Sequence, residues 1–382
     1  MRYYFDHNAT TPVAREVLEV YRAALADDFG NASSIHQDGQ RARQALESAR
    51  RAMAQCLHCD ARELVLLSGG TEANNLALAG LRPRHIVTST IEHPAVLNPC
   101  AVVERQGVAV TYVPVDRQGL VDPRDVARAL RPDTGVVSIM HANNETGAVQ
   151  PIAEIARITR AAGVPLHVDG VQAAGKLEVD LHALGADLYS ISAHKLYAPK
   201  GVGLLYVRQG VQLTALLHGG RHERERRAGT ENVAGAVALA AALRWFQENG
   251  PAERARLAEL RDHLEREVLR RVEGVHVNSG AAPRVPNTTN LRFDAIEGEP
   301  LVIALDLAGF AISSGSACSS GAVEPSHVLL AMGLSRDEAR ASIRISLGRA
   351  NDRAQVDALV EALVDAVARL RKVSTQGPVY VR

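Results

Sequence analysis

The sequence predicts an α/β protein with a mainly parallel central sheet, joined to a smaller α+β part. Three observations predict it. Between residues 63 and 207, short apolar runs alternate with helical stretches, a pattern that calls for crossover connections and therefore parallel strands. Thr71, His93, Asn144, Asp169 and Lys195 fall at or just past the ends of those runs, or in the turn that follows. That is where sheets of this kind bind ligands. Past residue 250 the order changes to long helices and separated strands, so the 382 residues divide into a large part, 13–250, and a smaller part, 251–382. The amino-terminal arm, 1–12, is grouped with the smaller part.

Taken in order, residues 3–12 read as an extended arm, and Pro12 opens a helical stretch that ends near residues 27–28. Turn formers fill 29–36 before a helix pattern at 40–54. The apolar run 63–67 is a buried strand that passes through Ser68-Gly69-Gly70-Thr71 straight into a helix. Backbone N–H groups at that helix start, with the Thr71 hydroxyl, suit a phosphate. An ordinary N-capped helix accounts for the stretch equally well, and no Gly-Lys-Ser/Thr follows, so it is not a Walker loop. Strands are expected at 85–88, 108–115, 136–140, 164–168, 188–192 and 203–207. Helices follow Pro94 and Pro123 and span 151–162, closed by Gly163.

Residues 221–232 form a charged loop with no helical face, the composition of solvated surface. Two long helices are expected next, 233–248 and 251–272. In the last part strands lie near 275–277, 290–293 and 341–346, with a helix at 299–308. A final helix, 352–371, places Val356, Leu359, Val360, Leu363, Val364, Val367 and Leu370 on one face. Residues 313–321 are a small-residue loop carrying Cys318. Such a loop exposes a thiol, although a lone cysteine is often simply a buried apolar side chain.

Forty-three basic and 43 acidic side chains cancel, which gives no electrostatic support to a nucleic-acid or membrane role. No run approaches the roughly 20 apolar residues of a membrane span. With no apolar signal segment at the amino terminus, the expected compartment is the cytoplasm. Four cysteines are too few for a disulfide framework, and Cys56 and Cys59 lack the second pair that a zinc site needs, so no metal site is expected.

Lys195 ends an apolar run, where an ammonium loses hydration unless it is paired or converted. Asp169 ends another run twenty-six residues earlier. An aspartate and a lysine so placed fit pyridoxal phosphate, which takes a lysine imine and a carboxylate at its ring nitrogen. By itself, the lysine also reads as a snorkelling surface cation.

Asp6-His7-Asn8-Ala9-Thr10-Thr11-Pro12, Gly69-Gly70-Thr71-Glu72-Ala73-Asn74-Asn75, Glu92-His93, His141-Ala142-Asn143-Asn144-Glu145-Thr146-Gly147, Ser192-Ala193-His194-Lys195, Arg227-Ala228-Gly229-Thr230 and 313–318 occur in this order over nearly the whole chain. Together they resemble the class I cysteine desulfurases of nitrogenase and iron-sulfur cluster assembly. The resemblance implies a fold type I pyridoxal-phosphate enzyme acting on L-cysteine as a homodimer. It implies that Lys195 holds pyridoxal 5'-phosphate, Asp169 pairs with its ring nitrogen, Gln172 donates to its ring hydroxyl and His93 stacks on its face. The phosphate falls to Thr71 and the Gly70 helix start, Ser192 and His194, with Thr230 reaching in from the other subunit. Asn144 and Arg344 bind the substrate carboxylate, His93 handles protons near the substrate thiol, and Cys318 takes the sulfur as a persulfide. The sulfur then passes to an acceptor or iron-sulfur scaffold protein. The short stretch after Arg371, against a longer scaffold-docking tail in housekeeping relatives, leaves the acceptor open. The competing expectations are a selenocysteine lyase or aminotransferase of the same fold, and a non-catalytic scaffold.

Overall fold

The computed structural model describes residues 2–314 and 324–375. Its strands are β1 (Tyr3–Tyr4), β2 (Leu64–Leu67), β3 (His85–Ser89), β4 (Ala109–Val113), β5 (Thr134–Met140), β6 (Leu166–Asp169), β7 (Leu188–Ser192), β8 (Gly203–Val207), β9 (Val275–Asn278), β10 (Thr288–Phe293), β11 (Phe310–Ala311) and β12 (Ser342–Ser346). Seven of them form one sheet in the order β2-β8-β7-β6-β5-β3-β4. Within it β7 and β2 pair antiparallel with β8, and the other pairs are parallel. All of β2, β3, β6, β7 and β8 is buried, which is why these strands read as unbroken apolar runs rather than as alternating ones.

The helices are α1 (Arg15–Asp27), α2 (Gln37–Leu57), α3 (Gly70–Gly80), α4 (Pro94–Glu104), α5 (Pro123–Ala129), α6 (Ile152–Ala161), α7 (Leu181–Leu184), α8 (Val233–Arg271), α9 (Gly298–Leu307), α10 (His327–Ala331), α11 (Arg336–Arg340) and α12 (Arg353–Thr375). Their starts follow local chemistry. Asp122 caps α5 through the Arg124 N–H with Pro123 at the first position, and Ser335 and Glu338 form a capping box on α11.

Two departures from the sequence reading have physical causes. The helix expected from Pro12 begins only at Arg15, because the N–H groups of Thr11 and Ala14 donate to the carbonyls of His194 and Tyr197 and hold the chain extended. The helices expected at 233–248 and 251–272 are one 39-residue helix, α8, with Pro251 inside. A proline removes one helical hydrogen bond and crowds the preceding turn, but packing holds α8 on both sides of it. Leu239 and Leu243 are buried in the apolar cluster around the seven-stranded sheet, Leu264 and Val268 in a second cluster.

That second cluster covers the antiparallel sheet β12-β10-β9 and takes in Val356, Leu359, Val360, Leu363 and Val367 of α12. Phe5 of the arm is buried in it as well, and β1 pairs in parallel with β11. Among the described residues no helix is long and apolar enough to cross a membrane.

Candidate active site

The polar residues expected at the strand ends surround one cavity of about 500 Å³. Gly70, Thr71, His93, Asn144, Asp169, Gln172, Ser192, His194 and Lys195 all line it. Their elements explain why they meet. Asp169 is the last residue of β6, Ser192 the last of β7, Lys195 closes the short helical turn after β7, and Thr71 and His93 stand at the starts of α3 and α4.

Asp169 is held by two donors, the Asn74 amide to Oδ2 at 2.7 Å and the Val171 N–H to Oδ1 at 3.0 Å. The next residue must be glycine, since a Cβ on Gly170 would stand 1.9 Å from the Tyr189 ring. The Tyr189 hydroxyl in turn lies 2.9 Å from Nδ1 of His141. A Cβ on Gly70 would meet Val171 at 2.7 Å, so α3 starts pressed against the turn after Asp169. No side chain caps α3, which leaves a helix start suited to an anionic group.

Lys195 donates to the carbonyls of Asn8 at 2.5 Å and Ala9 at 2.7 Å. Burial, reinforced by Arg344, pushes its ammonium down to about 8, far enough that the free amine is accessible just above neutrality. His93 accepts the Ala95 N–H at Nδ1, 3.0 Å away, and caps α4. Burial lowers its pKa, so the ring is neutral with its proton on Nε2. His194 sits 3.1 Å from the Thr10 hydroxyl, and burial brings its pKa down to about 4.

Arg344 does not line the cavity but reaches its wall: its guanidinium donates to Asp6 Oδ1 at 2.7 Å and to the Asn144 carbonyl at 3.0 Å. Thr230 is exposed and is not among the cavity's lining residues. Its loop is less solvated than its charge implies. Glu223 is buried, receives both Arg50 guanidinium nitrogens at 2.7 and 2.8 Å, and accepts the Leu66 N–H. Arg227 pairs with Glu72 at the start of α3, at 2.9 Å. The buried acid is what the compositional reading missed.

Cys318 lies outside the described residues. Both flanks of its segment are fixed near the site. Ser313 and Arg344 exchange backbone hydrogen bonds of 3.1 and 2.6 Å, and the Ser326 hydroxyl donates to buried Glu145 at 2.5 Å. His327 donates from Nε2 to the carbonyl of Glu92, the residue before His93. The remaining cysteines are poor nucleophiles: burial raises the Cys56 thiol and pushes Cys59 and Cys100 up to about 12.

Sequence reasoning gave no role to Asn8, Asn74, Glu92 or Lys176. Asn8 is the hub of the site. Its carbonyl accepts from Lys195 and Gln172, and its amide donates to the Asn144 carbonyl and the Thr288 hydroxyl. Its Oδ1 accepts from Lys176 and Asn287. Asn74, four residues past Gly70 on α3, had a helical-spacing signal. Asn8, in an extended arm, had none beyond its motif.

The family model for class-V aminotransferases matches residues 3–359. The cysteine desulfurase IscS of Dictyoglomus turgidum is 44% identical over 377 residues, 97% of this chain and 96% of that protein. The cysteine desulfurase IscS of Methanosarcina thermophila is 43% identical over 381 residues, 98% of this chain and 94% of that protein. Among solved structures, a NifS-like protein superposes with a TM-score of 0.91 at 36% identity, over 97% of this chain and 100% of the other. The structure of SspA in complex with cysteine matches with a TM-score of 0.82 at 36% identity, over 91% and 99%.

Proposed function

Because this chain belongs to the class-V aminotransferase family, and to the cysteine desulfurases within it, we propose that it removes sulfur from L-cysteine and leaves L-alanine. The observation that carries the reading is the convergence of nine expected residues on one cavity at the carboxyl edge of the parallel strands.

Pyridoxal 5'-phosphate fits the residues present. The uncapped start of α3, with Thr71, Ser192 and His194, would hold the phosphate, Asp169 the ring nitrogen, and Lys195 the carbonyl carbon. When bound, the group supplies an electron sink that loosens the substrate Cα–H bond. Asp169, oriented by Asn74 and Val171, would present its carboxyl to that nitrogen. Lys195, its ammonium brought down to about 8, can take and return a proton at the substrate carbon. Neutral His93 presents Nε2–H to the cavity and can exchange a proton with the substrate thiol. Arg344 and Asn144, joined at 3.0 Å, would receive the substrate carboxylate.

The Cys318 thiolate then attacks the substrate sulfur. An S–S bond forms, the Cβ–S bond breaks with its electron pair going to carbon, and that carbon takes a proton to become the methyl of alanine. The anchoring of Ser313 and Ser326 beside Arg344 and Glu145 supports this role, as do the raised pKa values of the other three thiols.

The same reading makes the protein a homodimer, with Thr230 completing the partner's phosphate site, and gives it a sulfur-acceptor or iron-sulfur scaffold protein as partner in the cytoplasm. Thr230's exposure on a loop tied down by Glu223 and Arg227 supports the first point. It also divides the chain at 13–250 and 251–382, with the arm on the smaller side. The two apolar clusters support that division, although α8 runs through the boundary.

The test is Cys318→Ser with L-cysteine as substrate, reading alanine release and persulfide by mass spectrometry. The variant is expected to bind cofactor and cysteine normally, yet release almost no alanine, because a serine hydroxyl is a far weaker nucleophile than a thiolate. Undiminished alanine release, or persulfide on Cys56, Cys59 or Cys100 instead, would defeat the mechanism through Cys318.

A further inference from the structure

Beneath the cavity floor lies a second buried lysine. Lys176 is 9% exposed and donates from Nζ to Asn8 Oδ1 at 2.6 Å and to Gln172 Oε1. Among the described residues no carboxylate pairs with it. The charged groups that face it are Lys195 and Arg344, with His7 alongside, and burial together with the two cations drives its pKa well down. An amine in that setting acts by the direction of its hydrogen bonds rather than by its charge.

Those bonds close a ring. Gln172 accepts from Lys176 at Oε1 and donates from Nε2 to the Asn8 carbonyl at 2.9 Å. The same carbonyl accepts from Lys195. Turning the Gln172 amide over would set Oε1 against a carbonyl oxygen and Nε2 against a donor, so both contacts fix one orientation. The geometry of the turn makes this possible. The N–H groups of Ala174 and Leu177 bond back to the carbonyls of Gly170 and Ala173, so Gln172 and Lys176 lie one helical turn apart on the same side.

We propose that Lys176 is a positioning residue. It fixes the Gln172 amide and the Asn8 side chain, and so sets which polar atoms of the floor meet Lys195 and the ring oxygen of the cofactor. The inference rests on the cofactor reading above. With Lys176 present, a ring oxygen beside Gln172 meets N–H. Without it, Oε1 is left buried and unpaired, which is costly, and the amide turns its oxygen toward any proton in the cavity. An oxygen that loses its donor holds its own proton more tightly, so the pH at which the bound cofactor's visible absorbance titrates moves upward.

The experiment compares reconstituted wild type, Lys176→Met, Gln172→Leu and the double variant by absorbance pH titration and by pyridoxal-phosphate affinity. The expected result is a midpoint raised by about one unit in Lys176→Met, a tenfold change in proton affinity, with the cofactor bound about tenfold more weakly. In the Gln172→Leu background the lysine substitution adds nothing, because its effect runs through that amide. A merely structural lysine would lower melting temperature without moving the midpoint, or would add its effect to that of Gln172→Leu, and either outcome overturns the proposal. If Lys176→Met does not fold, Lys176→Leu, which likewise removes the donor to Gln172 Oε1, carries the same comparison. A wild type that fails to take up the cofactor overturns the cofactor reading instead, and is told apart by the absence of any band to titrate.

Discussion

Asp169 and Arg344 face the same site from the two sheets and are held in different ways. The carboxylate at the end of β6 is bonded by Asn74 and Val171, both supplied by neighbouring segments of the large sheet's own layer. The guanidinium on β12 leans on Asp6 of the arm and on the carbonyl of Asn144, both from outside its own sheet. Asp169 is thus set within the parallel sheet's own layer, whereas Arg344 is set by contacts made after the arm and both sheets have come together. The two sides should therefore fail differently when cut.

Lys195→Ala is the largest cut. Loss of the amine removes the covalent hold and the proton carrier together, so alanine formation should fall at least about 10³-fold, with no visible band on adding the cofactor. Residual turnover within tenfold of wild type would erase the distinction between the two sides.

A second cut, Arg344→Met, should leave the cofactor band in place and raise KM for L-cysteine roughly 30- to 1,000-fold, the equivalent of losing about 2–4 kcal/mol of paired charge. Steady-state kinetics with a parallel absorbance spectrum separates the outcomes. An unchanged KM with a collapsed band would place Arg344 on the cofactor side.

The smallest effect is expected at the seam, where Glu92 accepts the Met140 N–H through its side chain and His327 through its carbonyl. Burial raises this carboxyl to about 8, so the folded protein keeps a proton that the unfolded chain loses near pH 4. A raised carboxyl pKa subtracts stability as pH climbs between those values, and the decline stops above about 8. Glu92→Gln removes that decline. Melting temperatures of the two proteins should be similar near the lower value and separate by a few degrees in the variant's favour near the upper one. Parallel melting curves across that range would mean that Glu92 is ionised in the fold.

Much of the large sheet was legible because its strands are buried on both faces, and buried strands leave apolar runs such as 64–67 and 188–192 with polar residues at their ends. The site residues on those ends could be read for the same reason. Asn8 and Lys176 could not, since single polar residues in an arm and a turn carry no period. Their importance lies in partners 187 and 168 positions away. Pro251 pointed the wrong way because a proline is a local signal, and the packing of α8 at both ends outweighs it. Glu223 was hidden in a run of charges whose composition is that of open surface.

The arm also imposes an order on biosynthesis. Its Asp6 and Asn8 bond to Arg344 and Ser346, residues that leave the ribosome some 338 positions later. At about 5–20 residues per second, the arm waits on the order of 20–70 s for these partners, with Phe5 uncovered throughout. Asn8 cannot hold Lys195 on one side and the substrate wall on the other until then. A nascent chain therefore stays incompetent until β12 has emerged, and bulk placed against the arm would obstruct the last step of assembly rather than the first.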